Sequence, residues 1–315
     1  MDTSPHKSDF VHANAIRLHY LDWGGSGEAI LFLPGFGDSA HVFDNLAPKF
    51  TDRFRVLGLT RRGHPGSDTP ETGYDAVTLA EDIRGFLDQL RLGRASLVGH
   101  SMASGEITHF AAAYPTRTVK LVYLDAAYDR TELPGILSQD PTAHIAPPES
   151  EAEIHASADT YLANFLRMSP RFLEVWSELL DEELRRQIAI QPDGTATDRM
   201  PPSIASALWQ GMYDYHHEYR AVPAPALAFY AMGGPTRLPD YWTDEQRRQY
   251  QAYVERVFIP WKVRSAEQFQ KDMANCRIVE LPGANHYVFL DKEDIVVRET
   301  RNFLLESKEA IIPAA

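Results

Sequence analysis

The chain has 315 residues, 44% hydrophobic and 24% charged, enough to bury about three quarters of its unfolded surface in one sizeable core. Its formal net charge of −13 excludes the basic surface that nucleic acid or an anionic membrane requires. The single cysteine, Cys276, excludes an intramolecular disulfide and any Cys-based zinc cage.

In chain order, Phe10 to Ala13 and Ile16 to Trp23 carry mostly alternating bulk and predict an antiparallel hairpin turning at Asn14. Ala29 to Leu33 is a continuous apolar run of the kind buried on both faces, ending in Pro34-Gly35-Phe36-Gly37. A helix is expected from about Ala40 to Phe50, then a strand from Arg55 to Thr60 and the loop Arg61-Arg62-Gly63-His64-Pro65-Gly66-Ser67-Asp68. Val77, Leu79, Ala80, Ile83, Phe86, Leu87 and Leu90 keep helical spacing. The apolar run ending at Gly99-His100-Ser101 leads into a helix-compatible stretch to Tyr114, and Val119 to Asp125 reads as the next strand.

From about Arg130 to Val222 the pattern becomes proline breaks and helices with no convincing strand, which reads as an insertion. Strands resume at Pro225 to Ala231 and at Arg277 to Leu281, separated by an aromatic-rich helical stretch from Pro235 to about Asn275. Asp294 to Leu305 closes the chain as a helix. Alternating strands and helices at this spacing imply right-handed crossovers and a mostly parallel sheet covered on both faces. The expected division is a core of residues 1–129 and 223–315 with a helical lid over residues 130–222.

The chemistry-bearing residues gather at strand ends. Ser101 stands between small neighbours, Gly99 two before and Ala103 two after, as a tight strand-to-helix turn with an exposed hydroxyl requires. Alanine in the second place, where glycine is usual, adds only a methyl group. His286 follows the last strand in Gly283-Ala284-Asn285-His286, and ligands of parallel sheets bind outside the carboxyl ends of strands. The glycines of Pro34-Gly35-Phe36-Gly37 let backbone N–H groups turn inward, where an oxyanion needs donors.

With these four motifs in this order, Leu33-Pro34-Gly35-Phe36, Arg62 to Asp68, Gly99 to Ala103 and Gly283 to His286, the chain resembles the α/β-hydrolase family from about Phe10 to Leu305. The resemblance implies an eight-stranded, mostly parallel sheet with helices on both faces and a helical lid. It implies Ser101 as nucleophile, His286 as general base, and the N–H groups of Phe36 and Met102 as the oxyanion hole. The acid of such a triad most often follows the strand that is here Leu227 to Ala231, but no carboxylate appears there before Asp240. A minority of members place it one strand earlier, where Asp125 stands. Asp125 is therefore the first candidate and Asp240 the alternative.

His64 and His100 read as structural, and the pair His216-His217 before Glu218 as lid surface rather than metal ligands. No phosphate-binding or dinucleotide fingerprint is present, so no cofactor and no metal are expected. Tyr161, Phe165, Met168, Phe172, Trp176, Trp209, Tyr213 and Tyr215 in the lid suggest an apolar acyl or aromatic substrate. The expected activity is hydrolysis of small or medium carboxylic esters. The same triad supports lactone or C–C bond hydrolysis, lyase or perhydrolase chemistry, and a non-catalytic receptor can share the fold. Haloalkane dehalogenase and epoxide hydrolase chemistry need a carboxylate where Ser101 stands. The first 30 residues hold no run of signal-peptide length and no segment nears the roughly 20 apolar residues of a membrane span, so a cytoplasmic location is expected. The sequence leaves the oligomeric state open.

Overall fold

The computed structural model describes residues 6–306. β1 (Lys7–Ala13) and β2 (Ile16–Gly24) pair antiparallel in one hairpin. Asn14 and Ala15 both take positive φ, 48° and 63°, giving the two-residue turn whose twist matches its strands. β3 (Ala29–Leu33) is buried along its whole length, as the uninterrupted apolar run requires. The expected helix after it is instead two 3-10 turns, Ala40–Phe43 and Ala47–Phe50. Pro48 lacks the N–H that would continue an α-helix through this stretch.

β4 (Arg55–Leu59), α1 (Ala76–Gln89), β5 (Ala95–His100), α2 (Ser104–Ala113) and β6 (Thr118–Leu124) follow within a residue or two of the predicted limits. The residues after β6, up to residue 225, form α3 (Leu133–Leu137), α4 (Glu151–Ile154), α5 (Ala158–Met168), α6 (Glu178–Arg186) and α7 (Pro202–Tyr213). They also hold a small antiparallel hairpin, β7 (Ile188–Ile190) with β8 (Ala196–Asp198). This corrects the strand-free reading of residues 130–222. Three-residue strands are too short to show alternation, although the connecting turn Pro192-Asp193-Gly194, with Gly194 at a φ of 88° and Asp193 accepting from the Thr195 N–H at 3.0 Å, is a recognisable turn sequence.

β9 (Ala226–Met232) returns the chain to the sheet. α8 (Asp244–Tyr253) and α9 (Ile259–Asp272) are joined by a π-helical turn, Val254–Phe258, just before Pro260. A proline ring and its missing donor account for this local break in the α pattern. β10 (Cys276–Pro282), α10 (Val288–Asp291) and α11 (Glu293–Leu305) complete the fold.

The eight strands run in the order β1-β2-β4-β3-β5-β6-β9-β10. β3 is parallel to both β4 and β5, and β5-β6-β9-β10 continue parallel, so antiparallel pairing is confined to β1 and β2. Each sheet face is covered. Phe86 of α1, Phe110 of α2 and Phe269 of α9 pack on one side, while Phe43, Leu180 of α6, Phe289 and Phe303 of α11 pack on the other. The carboxyl ends of β3, β5, β6 and β10 therefore emerge along one edge of a rigid slab.

Candidate active site

Ser101 sits at the junction of β5 and a 3-10 turn, Ser101–Ala103, that leads into α2. Its φ is 51°, a conformation that costs a non-glycine residue on the order of 1–3 kcal/mol and persists only where neighbours enforce it. The neighbours are visible. A Cβ on Gly99 would lie 2.8 Å from Ile107 Cδ1 and 3.1 Å from the Ala103 Cβ, so any larger residue there would have to displace Ile107 and crowd the Ala103 methyl. A Cβ on Gly35 would approach His100 Nδ1 to 2.9 Å and Ser101 Cβ to 3.3 Å. The glycine loop after β3 thus passes directly over the serine.

His286 Nδ1 donates to Asp125 Oδ2 at 2.6 Å. Asp125 follows β6 directly with a φ of 46°, and its other oxygen accepts from Tyr128 Oη at 2.5 Å and from the Ala231 N–H at 2.8 Å. Lys262 Nζ, on α9, stands 3.6 Å from Asp125 Oδ2 and donates to the Ala231 carbonyl at 2.5 Å. Burial alone would push the Asp125 carboxyl up. The Lys262 charge and the hydrogen bonds from His286 and Tyr128 outweigh it and hold the carboxyl well below the usual range. Burial keeps the His286 imidazole below its ordinary value, with Asp125 opposing that shift.

Asp240, the alternative acid, is exposed and bonded to Arg167 at 3.0 Å; the fold does not bring it to His286. Lys262 and Tyr128 are absent from the sequence reading. No motif marks them, since Lys262 lies inside a helical stretch and Tyr128 reads as one more aromatic.

The loop between β3 and the first 3-10 turn is held from below. Arg61 is 3% exposed. It donates to the carbonyls of Pro34 (2.9 Å) and Gly35 (3.3 Å) and forms a two-point pair with Glu106 at 2.5 and 3.0 Å. With those carbonyls turned toward Arg61, the Phe36 N–H is left without a hydrogen bond among the described residues. Met102 lies in the first turn after Ser101, where helix N–H groups have no partner within the helix. The Phe36 ring packs on Trp209 at 4.7 Å. Beside Met102 an apolar cleft is walled by Tyr74, Leu79, Leu208, Met212 and Tyr215.

The remaining histidines divide. His64 is buried and bonded to the Arg62 carbonyl at 3.0 Å, and burial together with the Arg61 charge lowers its pKa to about 3. His100 donates through Nε2 to the His286 carbonyl at 3.1 Å, bracing that loop. His216 is exposed, but His217 turns inward to the Ser104 hydroxyl at 3.2 Å and stacks on Tyr219, which corrects its assignment to the lid surface.

A sequence profile of the alpha/beta hydrolase family matches residues 30–299. The chain is 40% identical over 109 residues to a 2-(acetamidomethylene)succinate hydrolase of Mesorhizobium japonicum, covering 34% of this chain and 39% of that one. It is 36% identical over 117 residues to a non-heme chloroperoxidase of Streptomyces lividans, covering 36% of this chain and 42% of that one. The matches thus span about two fifths of these relatives' lengths. Among solved structures, E-2-(acetamidomethylene)succinate hydrolase superposes with a TM-score of 0.72 at 22% identity, covering 95% of this chain and 99% of that one. An N-acyl homoserine lactone degrading enzyme, Est816, gives 0.63 at 17% identity, covering 94% of this chain and all of that one. At these identities the superpositions show the shared fold, and the profile extends it to descent: the chain belongs to the alpha/beta hydrolase family.

Proposed function

We propose that the protein is a serine hydrolase that cleaves carboxylic esters of small or medium apolar or aromatic substrates through an acyl-enzyme. The observation that carries this reading is the 2.6 Å bond between His286 Nδ1 and Asp125, found one strand end away from a serine held at a φ of 51°. With Nδ1–H committed to Asp125, Nε2 is the free base. It takes the Ser101 proton as Oγ attacks the ester carbonyl, and returns it to the departing alkoxide when the tetrahedral intermediate collapses. Water then attacks the acyl group by the same route, releasing the acid and restoring Ser101. The N–H groups of Phe36 and Met102 receive the negative oxygen of each intermediate. Residues 130–222 act as a lid, with Phe172 and Trp209 facing the loops of His286 and Phe36. A water-filled serine site would hydrolyse esters more readily than amides because an alkoxide leaves more easily than an amine.

The test is a panel of p-nitrophenyl esters and lactones with wild type and Ser101→Ala. Turnover that vanishes in Ser101→Ala supports the reading. No Ser101-dependent turnover on any member overturns it. The 40% identical stretch shared with the Mesorhizobium enzyme favours adding 2-(acetamidomethylene)succinate itself, whose Ser101-dependent cleavage in preference to every ester would replace the ester assignment.

A further inference from the structure

Apart from the serine site, three side chains from two segments of the sequence converge at the first 3-10 turn: His41 and Asp44 of the turn itself, and His6 from just before β1. Asp44 Oδ1 lies 2.9 Å from His6 Nδ1, and Asp44 Oδ2 lies 3.0 Å from His41 Nδ1. All three candidate ligand atoms fall within 4.8 Å of one another. The side chains are 1%, 10% and 11% exposed for His6, His41 and Asp44, so water does not dilute the cluster.

A second ring of contacts fixes these groups. Trp23 Nε1 donates to Asp44 Oδ1 at 2.9 Å and its ring meets His6 edge-on. His41 lies between the His6 ring at 4.9 Å and the His19 ring, stacked at 5.6 Å. His19 has its own partners, the hydroxyls of Thr60 at 2.9 Å and Ser8 at 3.0 Å, so it forms a wall of the cluster. Metal-binding carboxylates and imidazoles are oriented in this way by outer partners.

We propose that His6 Nδ1, His41 Nδ1 and Asp44 bind a divalent transition-metal ion of the zinc class, tying the start of β1 to the 3-10 turn that follows the Pro34–Gly37 loop. Two imidazole nitrogens and one carboxylate suit zinc, whereas calcium and magnesium demand six or more oxygens or retained waters. Tetrahedral bonds of about 2.0–2.1 Å set ligand atoms about 3.3 Å apart. The carboxylate–imidazole separations, 2.9 Å to one Asp44 oxygen and 3.0 Å to the other, lie close to that value, and with all three ligand atoms within 4.8 Å of one another side-chain rotation suffices to close them on one ion. Each imidazole then ligates through Nδ1 and keeps its proton on Nε2, and water fills the fourth position. The sequence reading finds no metal site because His6 and His41 stand in different segments and no ligand spacing links them.

The experiment is titration of chelator-stripped protein with Zn²⁺ by calorimetry and with Co²⁺ by visible absorption. Wild type, His6→Gln, His41→Gln, Asp44→Asn and the exposed-site control His216→Gln are compared. One equivalent is expected to bind wild type and the control and to raise Tm. Each cluster variant should bind at least about 10-fold more weakly. Wild type that takes up no Zn²⁺ at about 100 µM, or cluster variants that bind as wild type does, would overturn the proposal. Circular dichroism verifies folding, and His6→Gln, near the chain start, keeps the test decisive if Asp44→Asn does not fold.

Discussion

A carboxyl group buried at the end of a central strand would ordinarily keep its proton, because burial penalises its charge. Asp125 is ionised against that tendency by Lys262 and by donors from His286, Tyr128 and Ala231. Replacing Asp125 with Asn should lower kcat by about 10⁴-fold through loss of the required imidazole tautomer, while Asp240→Asn should leave it nearly unchanged. Steady-state kinetics of the two variants decides between them, and near-wild-type activity of Asp125→Asn would remove it from the mechanism. Lys262 adds a sharper expectation. Its charge lowers the pKa values of both Asp125 and His286, so Lys262→Met should raise the His286 value and move the acid limb of kcat/KM to higher pH. A purely structural lysine would lower Tm without moving that limb. In wild type the limb should fall below the ordinary histidine value of about 6.5, since the base must be neutral to act and burial favours its neutral form.

At the scale of elements, α6 is bound to the loop after β3 through acidic groups rather than a salt bridge. Glu183 accepts from the Ser39 N–H at 2.5 Å and from its hydroxyl at 2.7 Å, and neighbouring Asp38 accepts from Tyr287 and Gln187. Burial raises both carboxyls, Asp38 to about 7 and Glu183 to about 8, with Asp38 further raising Glu183. Arg61, Arg171 and Arg186 oppose this only in part. The folded state therefore holds protons that the unfolded chain has released above about pH 4. Stability from this pair is full at acid pH and is lost as pH rises from about 4 through those raised values. Urea unfolding at a series of pH values should show the decline, and Glu183→Gln should flatten it; an equal decline in the variant would contradict this account. Sequence patterning reaches only part of this level. Long amphipathic helices such as α1 and buried runs such as β3 announce themselves by local spacing. The break at Pro48 is a local signal that the helical spacing around it masks, whereas the β7–β8 hairpin and the Asp38–Glu183 contact depend on short or distant pairings that local spacing does not encode.

At the scale of the whole molecule, residues 130–222 share the core of the sheet. Leu162, Phe172, Leu180 and Leu184 lie in the same buried cluster as Phe43, Phe289 and Phe303. Calorimetry should accordingly give one cooperative transition, with equal calorimetric and van't Hoff enthalpies; two resolved transitions would show an independently folding segment. The site was legible in the sequence where function requires a contiguous motif, as around Ser101, Gly35 and His286. Asp125 was legible only as one of two candidates, because its pairing with His286 spans 161 residues. Lys262 and Tyr128 left no local trace at all.

Among the described residues the sheet has two edge strands, β1 and β10. Unpaired strand edges invite other chains to add on, and that is the usual route to aggregates. Here β1 carries Lys7 and Asp9, joined at 2.8 Å and exposed, while β10 carries Arg277 and Glu280 and ends in Pro282. An incoming strand would have to strip water from these charges and would find no donor at the proline. The margins that complete the sheet thus also act as gatekeepers against its uncontrolled growth.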